Sequence, residues 1–380
     1  PAWFKDRKAD VMVEFCLALY DSAGTPTSGI TRHEIANTNN FDANIKPATQ
    51  WDPAKYLNIW TTNLGTTRLA GASIHTTGQQ SYGQDVALVS DVTLTAGAVT
   101  FSRKIDSAGA ARDLTINTSG GGETKFLGAI GSGTALGDLT TNSDGRTRIS
   151  GGSITAAQIT LNDDVVLGAD STVTGTTSVE FARTILSEPG EGNDLSVVSP
   201  LTTFGGSIGI GTGTGLGRLT TDSVGTTIIN APNLIASSID MGDKVQLGSD
   251  SVWTATGTVV FRNTLNSEAT EGNALSITAP TVNFNGQVGN AAANTRLGAL
   301  TVGGGTTTLN TAFMKASRFD FQSDVILAFN LTLDSTAATS FGGTVNSRAG
   351  EFRSLTSNST STTFAGVVGG ATGGALGTLT

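Results

Sequence analysis

From residue 65 onward the chain alternates. In DVALVSDVTLTAGAVTF (85–101) and KVQLGSDSVWTATGTVVF (244–261) apolar and polar residues change places at each step. The runs are about four to seven residues long, rich in Val, Thr and Phe, and broken by Gly, Ser and Asp. A period of two sends every second side chain to one face of a strand. No stretch of 65–380 combines a sustained apolar stripe at helical spacing with helix caps. The pattern predicts an all-β region.

That region is an internal repeat. GTT or GRT recurs at Gly65, Gly145, Gly225 and Gly305, and the three steps between them are equal. A phenylalanine closes a Val- or Thr-rich run at Phe101, Phe181, Phe261 and Phe341, and another follows at Phe126, Phe204, Phe284 and Phe364. D-V-x-L-like strings lie at Val86, Val165, Val245 and Val325, and L-G-x-L-T strings close the units at Leu136, Leu216, Leu297 and Leu376. The repeats are therefore 65–144, 145–224, 225–304 and 305–380, the last about four residues short of its period. Pro1 in place of an initiating methionine and this short last unit are both read as marks of a processed product or fragment.

Two architectures accommodate such a unit. A parallel β-solenoid (β-helix) stacks coils of roughly 20–25 residues, three to four per unit, and needs small residues at turns, β-branched residues inside and few charges. Tandem immunoglobulin-like β-sandwiches are the alternative, since a unit of this size is only a little shorter than such a domain. Glycine-rich turns and sparse charge favour the solenoid, with roughly 13–16 coils over a rod of about 60–75 Å.

Composition narrows the function. The net charge of −9 and the lack of Lys/Arg clusters argue against nucleic acid. One cysteine excludes a disulfide framework, and two histidines cannot supply a three-histidine metal site. No apolar run is long enough to span a membrane, and no secretory leader opens the chain. Residues 1–64 differ sharply from the rest: they hold three of the four Trp, the single Cys16 and only two of the 49 Gly, which places a boundary near Leu64.

Within that first segment DVMVEFCLALYDSAGTPTSGITR (10–32) reads as strand, turn and strand. In WDPAKYLNIW (51–60) Asp52 and Pro53 can open a helical turn, and LNIW reads as a buried strand. Both motifs resemble the upstream part of the pappalysin/cytophagalysin group of metzincin zinc proteases. The resemblance implies an incomplete α+β segment and a zinc helix with H-E-x-x-H-x-x-G-x-x-H. This chain departs from that pattern, because His33-Glu34 is followed by Ile-Ala-Asn and NLGTTRLAGAS (63–73) runs straight into the repeats. Residues 65–380 resemble the β-strand repeat arrays of filamentous haemagglutinin-like and autotransporter-passenger bacterial surface proteins. That resemblance implies export to the cell surface or medium, an adhesin-like or structural role, and a host-cell, matrix or carbohydrate surface as partner.

No residue is assigned a catalytic, cofactor-binding or metal-binding role, and no cofactor is expected. His33 lacks partner ligands, His75 has no adjacent Glu, and Cys16 on its alternating strand reads as a structural thiol. The string GGSIGIGTGTGLG (205–217) lacks phosphate-loop spacing and has counterparts at 128–137, 286–298 and 366–377, so it reads as a repeat turn. Asp91, Asp170, Asp250 and Asn330 recur once per unit, too far apart for a shared calcium, and suit the capping of turn amides. Sequons at Asn117, Asn330 and Asn358 add little in a chain so rich in Asn and Thr. The most charged interruptions, SEPGEGND (187–194) and SEATEGN (267–273), read as solvated loops able to carry a binding role.

The expected function is that of an extracellular or cell-surface repeat protein without catalysis; the alternative is a fragment of a secreted zinc metalloprotease whose catalytic helix lies elsewhere. Sixty-odd residues bury too little surface to be secure alone. Limited proteolysis should therefore cut near 61–75 before the repeats, and simultaneous loss of both regions would contradict this.

Overall fold

The computed structural model describes residues 57–59, 65–290 and 294–380. They divide into two compact units, one reaching to Arg183 and one starting at Thr184. Between them the units hold about 15 turns of parallel β-solenoid, with no helix among the described residues. The α+β expectation, Cys16 and His33 lie outside the described residues. Of the WDPAKYLNIW motif, Leu57–Ile59 is described, and it is a strand paired in parallel with Gln79–Tyr82.

In the first unit three columns of strands enclose the core. One runs through Tyr82, Phe101, Phe126, Ile149 and Leu167, each stacked in register on the next. A second runs through Ile74, Leu94, Ile116, Thr141, Leu161 and Phe181. The third holds Val86, Ile105, Ile130, Ile154 and Val173. Parallel pairing in register excludes the antiparallel sandwich alternative. Alternation does the sorting: in strands such as Val92–Ala96 and Leu114–Thr118 the first, third and fifth residues are buried and the two between are half exposed. A slip by one residue would turn the whole apolar set outward, so burial itself fixes the register.

The second unit repeats the design. Phe204, Ile229, Leu247 and Ser267 form one column. Met241, Phe261, Phe284, Leu309, Leu327 and Ser347 form another. The third passes from Ile208 through Leu234, Trp253, Ile277, Val302, Phe321 and Phe341 to Phe364. Rings stack along and between columns, with centroids 5.2 Å apart for Trp253–Phe261 and for Phe261–Phe284, and 5.0 Å for Phe341–Phe364.

The sequence repeat and the solenoid turn do not match. Phe204, Phe284 and Phe364 are equivalent in sequence, yet they stand in three different columns. From Phe204 three full turns lead through Ile229 and Leu247 to Ser267 in the same column. The step that remains, from Ser267 to Phe284, covers only about two-thirds of a turn. Each repeat thus comprises about three and two-thirds turns. The equivalent position moves round by one face from unit to unit, as it does between Phe101 and Phe181 in the first unit.

The glycine-rich strings are corners, as their recurrence in every unit predicts. Gly131, Gly209 and Gly289 have φ of 66°, 69° and 65°. A Cβ on any of them would come within 2.1 Å of the carbonyl oxygen of Thr155, Ile235 or Lys315 on the adjacent turn. Only glycine allows both the left-handed backbone and that approach.

Phe261 is 1 % exposed and stacks on both Trp253 and Phe284. Phe261→Ala should cost about 3–5 kcal/mol of unfolding free energy. Phe329→Ala, at a side chain 47 % exposed, should cost well under half of that. Denaturant unfolding of the two variants checks the contrast, and equal losses would contradict the column packing.

Candidate functional site

Between the strands, irregular loops stand at the corners of the turns. Four corner loops begin after Ser107, Ser187, Ser267 and Ser347, and each buried hydroxyl accepts an amide that closes its loop. The donors are Arg112 at 2.9 Å and Asn193, Asn273 and Arg353 at 2.8 Å. The two acidic loops expected at 187–194 and 267–273 are both present at such corners. Inside them Asn193 Nδ2 and Asn273 Nδ2 donate to Glu191 and Glu271 at 2.8 Å, so part of the acidic charge serves the loop itself.

The acidic loops do not combine into one patch. The strand before each loop stands in a different column: Ile185 pairs with Ile208, Leu265 with Val245 and Val345 with Val325. The fractional turn therefore deals the loops of the second unit to three different corners. The last of them changes character, carrying Arg348, Glu351, Phe352 and Arg353 where its counterparts are acidic. Arg353 Nε pairs with Glu351 at 2.9 Å, and its guanidinium lies 5.6 Å from the centroid of Phe329.

The recurring turn residues cap amides, and the amides belong to the following turn. Asp91 accepts from the Asp113 amide at 3.2 Å, Asp250 from Ala274 at 2.7 Å and Asn330 from Ser354 at 3.0 Å. Asp170 stands at the equivalent place in its own repeat and is exposed. His75 ends the strand Ser73–His75 with its side chain exposed. Among the described residues no group of three His, Cys, Asp or Glu is placed to hold a metal ion. Nor is any helix among them long and apolar enough to cross a membrane.

The pattern of charges does not reveal two buried carboxylates. Asp163 and Asp243 are each 1 % exposed and occupy equivalent places in successive repeats. Asp163 accepts from the hydroxyls of Thr141 and Thr147, both at 2.9 Å, and Asp243 from Thr221 at 2.8 Å and Thr227 at 2.8 Å. Burial pushes the Asp163 carboxyl up to about 6 and that of Asp243 in the same direction, against the pull of those hydroxyls. Outside the core Asp240 is the opposite case. Arg262 at 2.6 Å and Arg218 at 2.7 Å grip it from neighbouring turns and hold it below the usual carboxylate range. A cavity of about 390 Å³ opens beside the loop 267–273, lined by Thr270, Glu271, Asn290, Asn294, Arg296 and Lys315.

Between its ordinary value of 3.8 and about 6 the folded chain keeps a proton on Asp163 that the unfolded chain releases. Its contribution to stability therefore falls as pH rises through that window and stays at its low level above it. Asp163→Asn removes the effect: relative to wild type it should gain on the order of 2 kcal/mol between pH 4 and pH 7. Urea unfolding across that range checks the difference, and a constant gap between the two proteins would refute it. No family model, curated protein or solved structure matches this chain, so its own geometry must carry the reading of its function.

Proposed function

We propose that the repeat region serves outside the cell, at a bacterial surface or in the surrounding medium, as a structural β-solenoid whose corner loops make adhesin-like contacts. One observation supports this most. In the second unit the columns continue from turn to turn, and the charged loops stand at the corners between the strands. A scaffold built this way holds loops at fixed separations, and a long surface array uses that property directly. The sparse charge, the Thr-, Ser- and Asn-rich exposed positions and the resemblance to haemagglutinin-like repeats agree with that reading. The partner suited to such loops is a host-cell, matrix or carbohydrate surface.

Protease treatment of intact producing cells tests the location. Peptides from 65–380 should be released while a cytosolic marker stays inside. Recovery of those peptides only after lysis would overturn the proposal.

A further inference from the structure

The third repeat departs from its neighbours at one corner, and the departures converge. In the second unit the same backbone hydrogen bond closes the equivalent loop of three repeats: Gly190 N to Gly213 O at 2.8 Å, Thr270 N to Asn294 O at 3.0 Å, and Gly350 N to Gly373 O at 2.9 Å. The four glycines have φ between 71° and 84°, and Thr270 and Asn294 hold the same left-handed backbone at 72° and 50°. Left-handed φ is unfavourable for a residue with a Cβ, above all a β-branched one. The fold tolerates glycine at both places, so the fold does not call for Thr and Asn there. Strain of this kind collects at functional sites.

Three further positions change around the same corner, two in the third repeat and one, Lys315, on the turn that opens the fourth. Arg296 replaces Gly215 and Ala375, which precede the equivalent leucines Leu216 and Leu376. Lys315 replaces Ile235, each donating its amide to the column residue of the turn before, Val288 at 2.7 Å and Ile208 at 2.9 Å. Asn290 replaces Ile210 and Gly370, each next after a left-handed glycine. All five side chains line the cavity of about 390 Å³, together with Glu271. Thr295, between the lining residues Asn294 and Arg296, has a buried hydroxyl oxygen without a hydrogen-bond partner among the described residues.

We propose that this cavity is a binding site for an acidic saccharide, a sugar that carries a carboxylate. Its volume falls within the roughly 300–1,000 Å³ of small-molecule sites. Arg296 has no carboxylate partner among the described residues, and a guanidinium grips a planar carboxylate through two parallel N–H bonds. Lys315 is held at 3.0 Å by Asp334, and Asn273 takes one oxygen of Glu271 at 2.8 Å. The other Glu271 oxygen can therefore accept from a ligand hydroxyl. The amide of Asn294 can both give and take, and the Thr270 hydroxyl, which donates to Ala269 O, still accepts. Sugar hydroxyls need such mixed partners, whereas a sulfate ion would meet the Glu271 carboxylate with nothing to donate to it.

The site goes beyond a structural role and stands or falls apart from cellular location, since the test uses the purified full chain. Isothermal titration with uronate-containing oligosaccharides should show saturable binding, and the same oligosaccharides with their carboxyls reduced should bind at least about tenfold more weakly. Arg296→Ala should lose about tenfold or more in affinity. Thr270→Gly with Asn294→Gly restores the neighbours' glycines; that double variant should melt no lower than wild type while its affinity falls. The proposal is overturned if no uronate oligosaccharide binds the folded chain, if acidic and reduced forms bind equally, if Arg296→Ala binds unchanged, or if inorganic sulfate binds as tightly as the sugars.

Discussion

Parallel stacking in register imposes one rule on every turn: whatever a strand presents inward must fit the strand before it and the strand after it. A repeat with a whole number of turns would satisfy the rule by placing like on like. All phenylalanines would then gather on one side of the core and all small residues on another. This chain avoids that outcome by the extra two-thirds of a turn. Within one column of the second unit the side chains run Phe204, Ile229, Leu247, Ser267, from ring to branched chain to hydroxyl. The next repeat plays a similar series, Phe284, Leu309, Leu327, Ser347, one face further round. Thick and thin positions are thereby shared among the faces, and a core of even density results without every turn being alike.

The same arithmetic governs the surface. Because equivalent loops fall on different corners, each meets its own surroundings and can change without a matching change in its counterparts. The loop at 347–353 has exchanged acid for arginine and shows Phe352, 58 % exposed and at φ 51°, where the earlier loops have Gly192 and Gly272. The carbonyl behind that residue still lies against a glycine of the following turn, Gly377, as the carbonyls of Gly192 and Gly272 lie against Gly217 and Gly298. The backbone plan is kept while the displayed group changes. Corner chemistry is thus separated from column packing.

How much of this could be read from the residues follows from the range of each interaction. Alternation in 85–101 and 244–261 is local, and the strands it predicts are there. The period of the repeat is a property of the string. The fraction of a turn is not, because it depends on how far each corner loop carries the chain. Turns within one column are unequal, the one from Phe204 to Ile229 being longer than the one from Ile229 to Leu247. The amide-capping role of Asp91, Asp250 and Asn330 was legible as chemistry, but the partner amide lies 22–24 residues on. Asp163 and Asp243 were hidden among charges that mostly face water. Their signal was a threonine pair 16 and 22 residues upstream, recurring with the repeat, and only stacking makes those separations neighbours. The cavity was harder still, since Lys315 reaches it from another turn than Thr270.

Those buried carboxylates also show what the fold requires at a closing corner. In the first repeat Thr67, the counterpart of Thr147, donates instead to the amide oxygen of Gln84 at 3.4 Å. A neutral acceptor therefore serves where later repeats use an acid. The need is for an acceptor that fixes a buried threonine hydroxyl, since an unmade hydrogen bond inside costs more than a made one contributes. Asp163 meets that need doubly, because Thr141 also accepts the Asn162 amide at 3.2 Å while donating to the carboxylate, so one short side chain ties two strands and the corner between them. The raised proton affinity follows from asking this of an ionisable group in a dry place; hydrogen-bond geometry, not charge, selects the residue.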